Sequence, residues 1–238
     1  MDEATAWFWP VKLFIKRVSG RELWLKEDTR REVLDSDGWK YIPDLLGPNS
    51  IVYSLGVDDS IDLDMDLIHH YSLTVHAFDP MPYSEEWVAS LEPPSNFVFH
   101  PWAAAGKDGS LRLFRRINKR GRKSVVMWTA DGNAGDGSDY IDAPAYTIRT
   151  MMQKLDHQRV DLLKVDVEGE GAEYEILDSL GDVANLPTQL LVEFHHRFPG
   201  IGKQRTATSI ANLRKLGYQI FSISETGREI GFVIDSGT

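Results

Sequence analysis

Residues 164–176 read KVDVEGEGAEYEI. Five carboxylates, Asp166, Glu168, Glu170, Glu173 and Glu175, crowd around two glycines. The stretch can be read as a phosphate-cradling loop, as an acid/base or metal site, or as the seam between a strand and a helix. The seam reading decides the fold. Upstream, DLLKVDV (161–167) is a short apolar run of the length of a buried strand. Downstream, AEYEILDSL puts Tyr174, Leu177 and Leu180 on one helical face. Glu173 and Glu175 suit the positive end of that helix. A phosphate loop is disfavoured, because Tyr174 stands where a third glycine belongs and the carboxylates repel phosphate. The extra Gly-Glu between the two halves predicts a bulged junction that displaces Glu170.

The same alternation runs outward in both directions. SIVYSLG (50–56), LTVHAFD (73–79), NFVFHPWAA (96–104) and QLLVEFHH (189–196) read as further strands. Between them, Ile61, Met65 and Ile68 share one helical face, as do Ile148, Met151, Met152 and Leu155. Ile210, Leu213 and Leu216 mark a last helix, stopped by Gly217. YQIFSIS and REIGFVI then follow with too few residues between them for a crossover helix, so they run antiparallel. The expectation is an α/β fold: a doubly wound, mostly parallel seven-stranded sheet with an antiparallel C-terminal hairpin. Residues 1–45 read as an N-terminal extension capping the active site, and 46–238 as the domain itself. A basic hairpin is inserted at about 108–128.

Composition narrows the class. The 238 residues contain no cysteine, which removes disulfides, thiolate metal sites and cysteine nucleophiles, and fits a cytoplasmic protein. No apolar run approaches the ~18 to 20 residues that span a bilayer. A net charge of −10 argues against nucleic acid and anionic membrane as partners. One run, RLFRRINKRGRKS, is basic throughout. It reads as a solvated hairpin tip or as a contact for an anionic small-molecule acceptor.

In open α/β sheets the ligand lies beyond the carboxyl ends of the strands. After the first strand come Gly56, Asp58, Asp59 and Ser60, where a sharp turn leads into a helix N-terminus. After the second comes Asp79, 23 residues beyond Gly56 and suited to accept both hydrogen bonds of a ribose diol. No complete G-x-G-x-x-G and no Tyr-x-x-x-Lys is present. The ligand expected is an adenosine compound without a pyrophosphate.

IVYSLGVDDSIDLD, VHAFDPMP, DLLKVDVEG, AEYEIL and LLVEFHH, in that order, resemble the FkbM-type S-adenosylmethionine-dependent methyltransferases. GWKYIP, PWAAAGKDGSLRLF and VMW add to the resemblance, which covers about residues 38 to 234. It implies the Rossmann-like class I methyltransferase fold. It also implies methyl transfer from S-adenosylmethionine, leaving S-adenosylhomocysteine, to a hydroxyl of a sugar or natural product. By position, Gly56, Asp59 and Ser60 would line the methionine and ribose side. Asp79 would bind the ribose with Pro80 beside it, and Trp102 and Ala103 would sit near the adenine. Three departures stand out: Ser54 where many class I enzymes carry an acid, Ser60 in place of an aspartate, and the duplicated Gly-Glu.

Methyl transfer to a hydroxyl requires alignment and a proton acceptor. Strand alternation puts Lys164, Asp166 and Glu168 on one face, and Glu193 and His195 together on the next strand. His195 is the candidate general base, because an ordinary imidazole titrates at about 6.5. Asp166 and Glu168 are the candidate carboxylates beside the methyl. No metal-ligand spacing recurs, so a divalent cation is not favoured. The competing functions are a nicotinamide-dependent oxidoreductase and a catalytically degenerate binding module.

Overall fold

The computed structural model describes residues 9–57, 59–117, 123–129, 139–167, 171–198 and 200–234. The central sheet contains β3 (Ile51–Leu55), β4 (Thr74–Phe78), β5 (Phe97–His100), β10 (Leu162–Val165), β11 (Gln189–Glu193), β12 (Tyr218–Ile223) and β13 (Glu229–Ile234). Its order is β12-β13-β11-β10-β3-β4-β5. β10 pairs parallel with both β3 and β11, β3 with β4, and β4 with β5. β13 returns between β11 and β12 and is antiparallel to both. The sheet is therefore doubly wound and mostly parallel, with an antiparallel C-terminal hairpin. The seam between the halves of the winding falls at β3/β10, where this architecture opens its ligand crevice.

Both faces are covered, which explains why the strands are near-continuous apolar runs. α2 (Asp62–Tyr71) and α3 (Pro82–Ser90) pack on one face through Leu63, Leu67, Ile68 and Val88. α4 (Ile148–Lys154), α5 (Ala172–Ser179) and α6 (Lys203–Lys215) cover the other through Ile148, Met151, Tyr174, Leu177, Ile210 and Leu213. Local chemistry sets the helix ends. Thr147 caps α4 by accepting from Thr150 N, and Asp108 accepts from both Thr147 N and the Thr150 hydroxyl. Past the end of α6, Gly217 takes a left-handed φ of +100°.

The run NFVFHPWAA does not continue as one strand. Pro101 has no N–H for the ladder, so β5 stops at His100. Ala103 and Ala104 form β6 in a second sheet, where it is followed in order by β9 (Tyr140–Tyr146), β7 (Gly109–Ile117) and β8 (Lys123–Thr129). Here β7 and β8 are the arms of the expected basic hairpin, whose tip at 118–122 lies outside the described residues. β9 was not legible in the sequence, because Asp142 and Pro144 obscure its alternation. It pairs with β7 along its length.

Chain before the sheet packs in two places. Helix α1 (Trp9–Val18) is followed by Glu22, whose buried carboxylate accepts from His196 Nε2 (2.5 Å) and from Arg197 (2.6 Å), fastening this segment to the end of β11. The hairpin β1 (Leu34–Ser36) and β2 (Trp39–Tyr41) lies on the α2 side of the sheet. There the buried Gln189 amide exchanges two hydrogen bonds with the Ile42 backbone. Among the described residues no helix is long and apolar enough to cross a membrane.

Candidate active site

The carboxyl ends of β3 and β10 touch through their backbones. Gly56 sits at φ +82°, and a Cβ placed there would lie 1.7 Å from the Asp166 carbonyl oxygen. Glycine is required at this point twice over, for its dihedral and for its missing side chain. Gly56 N donates to Phe78 O (3.0 Å) and Asp166 N to Leu55 O (3.0 Å), so β4, β3 and β10 are held in step.

Two cavities open at this junction, and Asp166 lines both. The first, of about 130 Å3, is walled by Gly56, Asp79, Pro80, Met81, Ala103 and Val167. Leu111, Leu113 and Trp128 of the second sheet line it as well. Asp79 is 6% exposed. Its two oxygens accept from Val57 N (3.1 Å) and Met81 N (2.9 Å), and each keeps a further lone pair. The second cavity, of about 160 Å3, is polar and lined by Asp37, Trp39, Asp59, Ser60, Asp64, Lys164 and Asp166, among others. Ser60 donates to Asp37 (2.8 Å), joining the β1–β2 hairpin to the turn after β3.

Lys164 is nearly buried, and three contacts make that tolerable. Its Nζ lies 3.1 Å from Asp166 Oδ2, donates to Gly56 O (3.2 Å), and sits 5.3 Å above the Trp39 ring. On the other side of Asp166 stands Glu193 at the end of β11. Burial, then the hydrogen bond and charge of Asp166, push the Glu193 carboxyl up to about 7. Arg228 holds it from behind at 2.6 Å. Two hydrogen-bonded carboxyls, flanked by two cations, thus lie at the ends of adjacent strands.

The residues expected from the sequence divide as follows. Gly56, Asp79, Pro80, Ala103 and Asp166 line the first cavity, and Asp59, Ser60 and Asp166 the second. Trp102 stands behind the wall, tilted against Phe78 and His100 and edge-on to Tyr146, because β6 turns away from the main sheet. His195 is 4% exposed and lines neither cavity. Its backbone N–H donates to Glu173 (2.8 Å) and its ring packs on Phe198, so the strand end buries it rather than presenting it. Glu168 and Glu170, with the duplicated Gly-Glu, lie outside the described residues. Glu173, expected at the positive end of α5, stands in its first turn and is fully buried.

Sequence reading missed Asp64 and the second-sheet wall, and it gave Glu193 no role of its own. Alternation put Glu193 on one face with His195, and the pairing of β10 with β11 brings it beside Asp166. Asp64 carried no signal, being one of four aspartates within DDSIDLD (58–64). Among the described residues no group of three or more His, Asp or Glu is arranged to hold a metal ion.

A comparison with curated proteins finds no significant match. Among solved structures, a chain of a fibrillarin/Nop5p complex matches with a TM-score of 0.44 at 12% identity, covering 95% of this chain and 81% of that one. The family model for the methyltransferase FkbM domain matches residues 67–220, well over half of the sequence. With the strand order, the Gly56 junction and the Asp79 cavity already in place, that match decides the identity. The chain belongs to the FkbM methyltransferase domain family, which makes it an S-adenosylmethionine-dependent methyltransferase.

Proposed function

We propose that the protein methylates a hydroxyl oxygen on a small molecule, a sugar or natural product, using S-adenosylmethionine. The observation that carries this reading is Asp166, which lines both cavities and hydrogen-bonds Glu193 at the end of the next strand. An alcohol must lose its proton as it is methylated, and the Glu193 carboxyl, pushed up to about 7, can take it.

The residues fit the cofactor. Asp79 offers its free lone pairs to a ribose diol. Phe78, Pro80, Met81 and Ala103 offer apolar contact for a purine, closed from above by Leu111, Leu113 and Trp128. The polar second cavity suits the amino-acid end, and Asp37 and Trp39 close it. In this reading only the later part of the N-terminal extension caps the site, and the first part braces the far edge of the sheet. When bound, the cofactor supplies an electrophilic methyl on a sulfonium. Glu193, deprotonated, accepts the hydroxyl proton. Asp166 orients the acceptor, and Lys164 and Arg228 balance the charge. His195 supports the strand end from behind and does not touch the acceptor.

Calorimetric titration with S-adenosylmethionine, followed by turnover on a panel of hydroxylated acceptors, tests the reading. Asp79→Ala is expected to weaken cofactor binding by about tenfold or more, the worth of one to two lost hydrogen bonds. Glu193→Gln is expected to bind the cofactor as the wild type does, while kcat falls by about 100-fold or more and its rise through pH 7 disappears. No heat with the cofactor would remove the methyltransferase reading. Full activity in Glu193→Gln would remove the base assignment.

A further inference from the structure

Asp64 is the most deeply buried carboxylate lining the second cavity. It lies in the first turn of α2 and is 2% exposed. One oxygen accepts from the Ser54 hydroxyl at 3.3 Å, a long hydrogen bond, and the other, Oδ1, meets no donor. Burial pushes its carboxyl up to about 6, against the opposing pull of Lys164. A buried acceptor left open is costly, and the cost is recovered where a ligand brings the donor.

The charges around it say what kind of donor fits. Asp37, Asp59, Asp64 and Asp166 line this cavity, and Lys164 is the one cation among the lining residues. Lys164 is already committed to Asp166 and the Gly56 carbonyl. Four carboxylates against one engaged ammonium repel phosphate and favour one further compact cation with N–H donors. An alkylammonium is a compact cation of this kind.

We propose that Asp64 binds the α-ammonium group of the cofactor's methionyl portion, so that a carboxylate from helix α2 does the work for which Ser54 on the strand has no charge. The proposal rests on the methyltransferase reading above. Ser54 becomes the residue that holds Asp64 in place, because its hydroxyl joins the strand to the helix carboxylate. Asp79 and Asp64 then divide the cofactor, one taking the ribose and the other the amino group, on opposite sides of the Gly56 junction.

The test is a calorimetric comparison of two ligands on the wild type and on Asp64→Asn. S-adenosylmethionine carries the ammonium. 5′-Methylthioadenosine keeps the adenosine and the sulfur but lacks the amino-acid chain. The variant is expected to lose about tenfold or more in affinity for S-adenosylmethionine and to stay within about twofold for methylthioadenosine. Retained methylthioadenosine binding also shows that the variant is folded. Asp64→Ala makes the same comparison should the asparagine amide disturb the buried site. Unchanged affinity for S-adenosylmethionine, or an equal loss for both ligands, overturns the assignment and leaves the methyltransferase reading standing. A wild type that binds neither ligand overturns both.

Discussion

Gly56→Ala is the substitution whose cost can be worked out most directly. The new Cβ would sit 1.7 Å from the Asp166 carbonyl oxygen and 2.8 Å from its carbon, so the peptide must retreat by about 1.3 Å to reach even a 3.0 Å contact. It cannot retreat freely, because Asp166 N is bonded to Leu55 O and Gly56 N to Phe78 O. Holding alanine at φ +82° costs ~1–2 kcal/mol, and weakening two backbone hydrogen bonds costs ~1 kcal/mol each. The sum is about 3–4 kcal/mol out of a typical 5–15. For a chain of this size that lowers Tm by roughly 6–16 °C. Differential scanning calorimetry reads the shift, and titration with S-adenosylmethionine reads the distorted junction as lost affinity. A Tm within about 2 °C of wild type, with affinity intact, would refute the claim that the two strand ends meet backbone to backbone.

Two further expectations concern pH. Glu22 is held down to about 2 by His196 and Arg197, which together outweigh the opposing effect of burial. Its contribution of about 3 kcal/mol is complete above pH ~4.5 and is lost as pH falls towards 2. Urea melts of Glu22→Gln should show lower stability at pH 7 and a shallower decline between pH 4.5 and 2; parallel curves would contradict the pairing. On β4, His76 meets His100 (2.9 Å) and packs beside His157, which bonds the Tyr53 hydroxyl (2.8 Å). Burial, then the neighbouring imidazoles, lower His76 to about 4, so it stays neutral in the fold while the unfolded chain protonates below pH ~6.5. Stability present above pH 6.5 should fall by about 2 kcal/mol at pH 5 through His76, and His76→Gln should lose less over the same interval.

The sheet was legible because its strands are buried on both faces. SIVYSLG, LTVHAFD and DLLKVDV announce themselves as short apolar runs, and the helices between them keep one apolar stripe. Gly56 and Asp79 were legible for a related reason: a strand end followed by a sharp turn needs particular residues, and sequence order places them. The hairpin YQIFSIS/REIGFVI could be called antiparallel from its short turn alone. That its second strand slips between β11 and β12 depends on pairing across more than 30 residues, from Gln189 to Val233.

The site shows the same division more sharply. Sequence alone determined that carboxylates gather at the ends of two strands, since alternation assigns Asp166 and Glu193 their faces without knowledge of anything else. Only the tertiary structure decided which of them are exposed to a ligand. His195, the candidate base of the sequence, donates its backbone N–H to Glu173 of the preceding helix α5, and the strand end buries its ring. Asp64 looked like one surface aspartate among four, until α2 folded it under Ser54 and left Oδ1 without a donor. The stretch KVDVEGEGAEYEI carries both cases, with Asp166 facing the cavities and Glu173 sealed behind them. A strand's period fixes direction locally, whereas burial and charge pairing depend on elements 20 to 170 residues away, and no local pattern encodes them.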